Sequence, residues 1–560
     1  MISDMDTEGA RALLKRFGKT LNRRELADRI CSYADMMGAD IFTQRAADEL
    51  IRLTRPADVV PDIYREYRPV VRDGIRLLFG GLSPERLSLL MADQVKMAED
   101  APVAHRLTEL ARQLPTLHKL GQIIARNRHI DPGLRSWLTG LENGIHRTDA
   151  GEIRETVRRE LGNYMAPFSI RIDDAILSEA SVGAVIGFNC TDPASGRASR
   201  GVFKVLRPGV REKLQEEFAL LEKIAGFFDR HRSRYALKNF RFIETFRDIR
   251  EALADEINLT GEQAHLSRAA GLCKKGKPVR VPVLLTRFCT ENVTAMSLAD
   301  GDKITEVAMS PAERKRCAQA LFDAIIWQPL FSTDAATFFH GDPHAGNIYG
   351  VRNRRGQTEP VLLDWSLAGT LSRTERLHMT RLMLGILLED GLLICEAVRA
   401  LAGDVSVSEG QVRAASREIM ARPAWRERRL MSRAFYFIDQ LALSGIRFPR
   451  DLLLFRKSFF TLEGVLHELD PDFSMDACVF KRLEGLFAEE LPRRWIGFMV
   501  PRLDRPEYYK SLVSNTDLQW LFFRLLLAFA RKGTGLLTES TSLLIRQAPG
   551  GLCPHPVCTA

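Results

Sequence analysis

One short stretch near the middle of the chain constrains it more than any other. Phe339-His340-Gly341-Asp342-Pro343-His344-Ala345-Gly346-Asn347-Ile348 sets an aspartate and an asparagine five residues apart in a loop. Val361-Leu362-Leu363-Asp364-Trp365 then ends an apolar run on a second aspartate, 17 residues beyond Asn347. The flanking apolar runs read as neighbouring short strands, so the three polar groups are expected to converge. Phosphoryl transfer from ATP needs these residue types: a carboxylate to orient the attacking hydroxyl (Asp342), a neutral amide to help hold Mg²⁺ (Asn347), and a second carboxylate to chelate it (Asp364). His340-x-Asp342-x-His344 is also a candidate metal triplet, since alternate residues of an extended segment share a face. Pro343 and Gly346 favour a turn, and no other His/Glu cluster completes a transition-metal site. His340 is therefore expected to brace the loop, and His344 is left without a role.

Phosphoryl chemistry also needs a strand lysine for the α- and β-phosphates. Lys204 lies between apolar Phe203 and Val205 on a strand spanning Gly201–Leu206, after a hairpin whose turn is Thr191–Gly196. About 20 residues earlier, Ser178–Gly187 reads as a small-residue turn without the G-x-G-x-x-G spacing. Its small side chains would let backbone N–H groups approach phosphates. A helical glutamate should pair with the lysine. Glu256 and Glu262, six residues apart, both qualify, and the residues alone do not choose between them.

These motifs together resemble the UbiB/AarF/ADCK family of atypical protein-kinase-like proteins over about residues 115–370. The family's K-x-G-Q appears as Lys119-Leu120-Gly121-Gln122, its lysine strand as Lys204-Val205-Leu206-Arg207-Pro208-Gly209, and its E-x-D as Glu256-Ile257-Asn258. Glu262 falls where the lysine-pairing glutamate lies. The catalytic loop is His340–Asn347 and the metal-binding segment starts at Asp364. The family's alanine-rich loop corresponds to Ser178–Ala184, with Ala180, Ser181 and Gly183 retained but no alanine run. The resemblance implies an α+β, two-lobed kinase-like fold: a small β-containing N-lobe, a helical C-lobe, and added N- and C-terminal helices. It implies ATP and Mg²⁺ as cofactors, with Asp342, Lys204 and Glu262 catalytic. Ala180, Ser181, Gly183, Lys204, Lys119, Gln122 and Glu256 would bind the nucleotide, and Asn347 and Asp364 the metal. It further implies ATPase activity and a role in coenzyme Q or other prenyl-lipid metabolism at membranes. Two departures stand out. Asn258 replaces the aspartate of E-x-D, and Asp364-Trp365-Ser366 replaces D-F-G, putting a Cβ where glycine would adopt φ > 0.

Two other readings stay open. Aminoglycoside or choline phosphotransferases also carry H-G-D-x-x-x-x-N followed by Asp-Trp, although Lys119–Gln122 and Arg207-Pro208-Gly209 favour the first family. The altered Asp-Trp-Ser and Asn258 would also suit a catalytically silent nucleotide-binding scaffold.

The rest of the 560-residue chain is helix-rich, with five expected regions: helices over 1–115, the KxGQ extension over 116–165, an N-lobe over 166–300, a C-lobe over 301–475 and C-terminal helices over 476–560. Hydrophobic residues at 45% and charged residues at 27% exclude a largely disordered or multi-span membrane chain. The net charge of +9 comes without a basic block, which favours an anionic membrane surface over nucleic acid. Nine scattered cysteines form no disulfide framework, and the acidic N-terminus is no signal peptide, so a cytoplasmic location is expected. Leu518–Ala530 is the most apolar stretch. It is too short for a bilayer core, which needs about 20 apolar residues, and Arg524 interrupts it. It reads as a buried helix or as an interfacial one dipping Trp520, Phe523 and Leu527 into lipid on the inner face of the membrane.

Overall fold

A computed structural model describes residues 7–125, 148–179, 182–235, 242–272, 279–403 and 408–499, with 509–512, 515–516, 518–520 and 523. The chain divides into two compact units, Met1–Ser267 with Pro282–Leu298, and Arg268–Val281 with Ala299–Ala560.

The first unit opens with six helices: α1 (Thr7–Thr20), α2 (Arg23–Met37), α3 (Ala39–Thr54), α4 (Arg68–Gly81), α5 (Pro84–Lys96) and α6 (Val103–Gln113). Asn22 starts α2 with a capping box closed by Glu25, and Pro56 follows the end of α3. Further helices are α7 (Pro115–Ala125), α8 (Ala150–Met165), α9 (Val210–Arg230), α10 (Phe242–Ile257) and α11 (Leu259–Leu272). The apolar stripes of α2–α6 share one core with Leu220, Ile224, Ala225 and Phe228 of α9. A charged cluster pins that junction. Glu217, fully buried, accepts from Arg86 at 2.5 Å and from the Thr116 amide and hydroxyl at 3.0 and 2.6 Å.

The same unit holds an antiparallel sheet, ordered β1 (Arg171–Glu179), β2 (Gly183–Thr191), β3 (Ala198–Leu206) and β4 (Val293–Ser297). Phe188 and Phe203 stack across β2 and β3 with ring centres 3.9 Å apart, inside a core that includes Ile153 and Val157 of α8. The hairpin turn is where the sequence places it; the Asp192 carboxylate accepts from Ala194 N and Ser195 Oγ. Two local expectations are corrected. Ser178–Gly187 is mostly strand, because β1 runs to Glu179 and β2 starts at Gly183. Val281–Thr286, whose apolar run reads as a strand, forms only one isolated bridge, Leu284 to Met296, and the strand beside β3 is Val293–Ser297. The small residues of Ser178–Gly187 serve close strand approach: a Cβ on Gly183 would come within 2.8 Å of the Val205 carbonyl oxygen.

The second unit carries two small antiparallel sheets. One orders β5 (Asp302–Lys303), β7 (Ile348–Arg352) and β8 (Thr358–Leu362); the other pairs β6 (Ala336–His340) with β9 (Ala368–Ser372). Around them lie α12 (Pro311–Phe322), α13 (Arg373–Leu388), α14 (Gly391–Ala402), α15 (Glu409–Ala421), α16 (Leu430–Leu443), α17 (Arg450–Leu469) and α18 (Met475–Met499). Ser310, Ser372 and Ser408 start their helices with capping boxes. Arg376, fully buried, donates to the Ser332 and Asp334 carbonyls, and burial lowers its pKa.

Helices with antiparallel sheets make this an α+β protein, as expected. Among the described residues, no helix is long and apolar enough to cross a membrane. Of the Leu518–Ala530 stretch, only 518–520 and 523 are described, with Trp520 and Phe523 exposed; Arg524 and Leu527 lie outside the described residues.

Candidate nucleotide and phosphoryl-transfer site

In the second unit, backbone pairing brings together the Asp342–Asn347 loop and the Asp364 segment. β7 and β8 pair Ile348 with Leu362, and one residue further the Leu363 amide donates to the Asn347 carbonyl at 2.8 Å. Asp364 is thus held beside the loop that carries Asp342 and Asn347. His340 ends β6, opposite Ala368 of β9. Its Nε2 lies 2.9 Å from the Leu363 carbonyl, and its Nδ1 is 3.1 Å from the Asp342 amide. An amide can only donate and a carbonyl can only accept, so His340 is neutral with its proton on Nε2. Complete burial lowers its pKa in the same direction. With both ring nitrogens used, His340 is a brace and no metal ligand. His344 Nδ1 likewise accepts from the Gly346 amide at 3.1 Å.

The loop backbone is tied down on several sides. The Asp342 carbonyl accepts from the His344 amide at 2.9 Å and from Asn347 Nδ2 at 3.2 Å. The second bond uses the amide nitrogen of Asn347, not the oxygen a cation takes. The Gly341 amide donates to the Leu367 carbonyl at 2.8 Å, and a Cβ on Gly341 would come within 3.0 Å of that oxygen. Asp364 sits at φ 53°, a left-handed conformation, and its Oδ1 accepts from the Ser366 amide at 3.2 Å. Ser366 itself has no positive φ, so the conflict expected of a Cβ at that position does not arise. Trp365 is buried, stacks on Phe338 and meets His340 edge-on.

Among the described residues, no three His, Cys, Asp or Glu side chains cluster as a metal cage. Asn347 and Asp364 are two hard oxygen donors. That set fits Mg²⁺, which is usually held by one or two carboxylates with waters and substrate phosphates completing its shell.

In the first unit, Lys204 pairs with Val185 of β2 and Thr294 of β4. Its ammonium lies 2.9 and 2.8 Å from the two carboxylate oxygens of Glu262 on α11. The other candidate, Glu256, is taken by Lys119 of α7. Phe242–Ala270, a single helix by periodicity, is divided into α10 and α11 at Asn258, whose Oδ1 accepts from the Gly261 amide at 2.9 Å. A neutral amide suffices for that cap, so the change from aspartate leaves the helix start intact. Gly183 opens β2. Gln122 lies on α7, its side chain outside the described residues, as are Ala180 and Ser181.

Sequence reasoning missed what α17 contributes to the site. Its Lys457 ammonium lies 3.0 Å from Asp342 Oδ2, its Ser458 hydroxyl donates to the His340 carbonyl at 2.7 Å, and its Asp451 carboxylate accepts from the Thr370 amide at 2.9 Å. Ser458 is 118 residues from His340, and no local pattern marks these positions.

Comparison with known proteins points to a kinase-like domain. Residues 140–398 match the ABC1 atypical kinase-like domain. The chain is 26% identical over 292 residues to a protein named "Probable protein kinase UbiB" from Actinobacillus pleuropneumoniae serotype 5b, covering 50% of this chain and 52% of that protein. A protein of the same name from Haemophilus ducreyi is 27% identical over 285 residues, again with 50% and 52% covered. One from Xanthomonas campestris pv. campestris is 26% identical over 400 residues, with 70% and 71% covered. The chain thus spans about half the length of the first two relatives. Residues 140–398 thus carry an atypical kinase-like domain. The domain match and the relatives support its membership of the UbiB/AarF/ADCK family, as the motifs implied.

Proposed function

We propose that this chain binds Mg²⁺–ATP and acts as a UbiB-type kinase or ATPase that supports ubiquinone or other prenyl-lipid biosynthesis at a membrane. The observation that carries this reading is the 2.8 Å bond from Leu363 N to Asn347 O, which joins the Asp342–Asn347 loop to the Asp364 segment. Bound nucleotide would supply the transferable phosphoryl group, with Mg²⁺ shielding its charge. Asp364 and Asn347 are then the metal ligands, Asp342 orients the attacking hydroxyl or water, and Lys204, held by Glu262, holds the α- and β-phosphates. Ala180, Ser181 and Gly183, with Lys119, Gln122 and Glu256, complete nucleotide binding. In this reading the fold is two-lobed: residues 166–300 form the small lobe and 301–475 the helical lobe. Residues 1–115 and 116–165 precede them as helical additions, and 476–560 follow. The protein would be cytoplasmic and peripheral on the inner face of the membrane, with a prenyl lipid or lipid-biosynthesis enzymes as partners.

The test is Mg²⁺–ATP turnover by the full chain, with and without anionic vesicles and a ubiquinone-precursor phenol. Turnover stimulated by vesicles or phenol supports the reading. Phosphorylation of a soluble hydroxyl compound without lipid stimulation would replace it with a small-molecule phosphotransferase, and ATP binding without turnover would replace it with a scaffold.

A further inference from the structure

We propose that Lys457 is a positioning residue that aims the Asp342 carboxylate, with α17 as the platform of the catalytic loop. The inference rests on the phosphoryl-transfer reading of Asp342 and adds a residue that no motif contains. Four positions of α17 hold the loop or its partner strand. Asp451 takes the Thr370 amide of β9, and Phe455 meets Phe339 of β6 edge-on with ring centres 4.9 Å apart. Leu454 lies close under Gly341, where an added Cβ would come within 3.0 Å of its methyls, and Ser458 holds the His340 carbonyl. Residues 451, 454, 455 and 458 recur at helical spacing, so they form one continuous face. Phe455 and Ser458 are fully buried. Lys457 therefore rises from a fixed base.

The Asp342 amide is taken by His340, and its carbonyl by His344 and Asn347, so the backbone at Asp342 is fixed. The direction of the side chain is set separately, and the Lys457 ammonium, 3.0 Å from Oδ2, bears directly on it. The lysine side chain is 34% exposed, and a pair this open to solvent adds little to stability. Its consequence lies instead in where the carboxylate points, since small misplacements of a reacting group cost roughly a hundredfold in rate.

The full chain is compared with Lys457→Met, Lys457→Arg and Asp342→Asn. Lys457→Met is expected to lower kcat roughly ten- to hundredfold while KM for Mg²⁺–ATP stays within about twofold and the melting temperature within a few degrees. Lys457→Arg should recover most of the lost kcat. A second readout needs no turnover. Amine acylation of Lys457, followed by mass spectrometry, should be slow in the wild type and several-fold faster in Asp342→Asn, where the ion pair is lost. Wild-type kcat in Lys457→Met, no rescue by arginine, or acylation indifferent to Asp342→Asn would each overturn the proposal. A wild type that neither binds nor turns over Mg²⁺–ATP would instead overturn the parent reading, while the acylation readout still reports the ion pair.

Discussion

The two halves of the candidate chemistry are built by different means. In the second unit, the backbone at Asp342, Asn347 and Asp364 is placed by hydrogen bonds between near neighbours and by the β7–β8 pairing, with Lys457 left to aim one carboxylate. In the first, Lys204 and Lys119 are placed by side-chain pairs across 58 and 137 residues. A backbone-built site tolerates side-chain changes without moving, so a variant there isolates chemistry. A site built from ion pairs couples chemistry to packing, because removing one partner leaves the other charge with less to hold it. The difference predicts which substitutions separate activity from stability.

Asp364→Asn should show the largest effect. Asparagine tolerates the left-handed backbone at φ 53°, so the variant should fold normally while losing one metal carboxylate. Mg²⁺–ATP turnover should fall about a hundred- to thousandfold, and retained turnover would remove Asp364 from the metal role. Asp342→Asn should lose turnover to a similar degree yet keep nucleotide affinity, measured by titration calorimetry. If both fell together, Asp342 would be structural and the first half of the comparison would break.

The first unit should respond less cleanly. Glu262→Gln removes the bidentate partner of Lys204, whose side chain is 14% exposed. Its expected signature is a mixed one: weaker Mg²⁺–ATP binding, lower kcat, and a stability loss of about 3 kcal/mol by chemical denaturation. Glu256→Gln removes a carboxylate more open to solvent than that of Glu262 but leaves Lys119 about as buried as Lys204, so its stability cost should be similar and its loss of ATP affinity smaller. Equal effects of the two glutamate variants on ATP affinity would erase the distinction between the pairs.

How much of this was legible in the sequence follows from the same contrast. The Asp342–Asn347 spacing and the strand-end Asp364 are local, and a pattern read within a few dozen residues shows them. Glu262 and Glu256 could not be sorted by residue type, because any helix carries such glutamates; only the strand and helix packing gave one to Lys204 and the other to Lys119. β4 was missed because Val293–Ser297 is short and its fully buried residues do not alternate, while the apolar Val281–Thr286 nearby drew the assignment. Ser178–Gly187 was read by size alone, and small residues serve a tight strand contact as well as a turn. Lys457 and Ser458 carry no signal until α17 is packed against the loop.

His340 offers a smaller effect that probes the loop alone. Burial lowers its pKa from 6.5, so in acid the unfolded chain takes up a proton that the folded one refuses. Its contribution to stability is therefore present above about pH 6.5 and lost as pH falls below that, at up to about 1.4 kcal/mol per pH unit. His340→Gln can still donate to the Leu363 carbonyl but does not titrate. Denaturation between pH 5 and 7 should show wild-type stability falling more steeply in acid than that of the variant. Parallel curves would mean that the imidazole is charged in the folded loop.

The smallest expected effect concerns Ser366. From sequence, its Cβ conflicts with the glycine that a D-F-G segment places at φ > 0. In the structure the left-handed residue is Asp364, and Ser366 enters only through its amide, which bonds the Asp364 carboxylate. Any residue but proline supplies that amide, so Ser366→Gly should leave Mg²⁺–ATP turnover within about twofold. Stability should drop by only about 0.5–1 kcal/mol, the added conformational entropy of glycine in the unfolded chain. A several-fold gain in turnover would show that the serine restrains the segment, and that the Asp364 site depends on a side chain as well as on its backbone bonds.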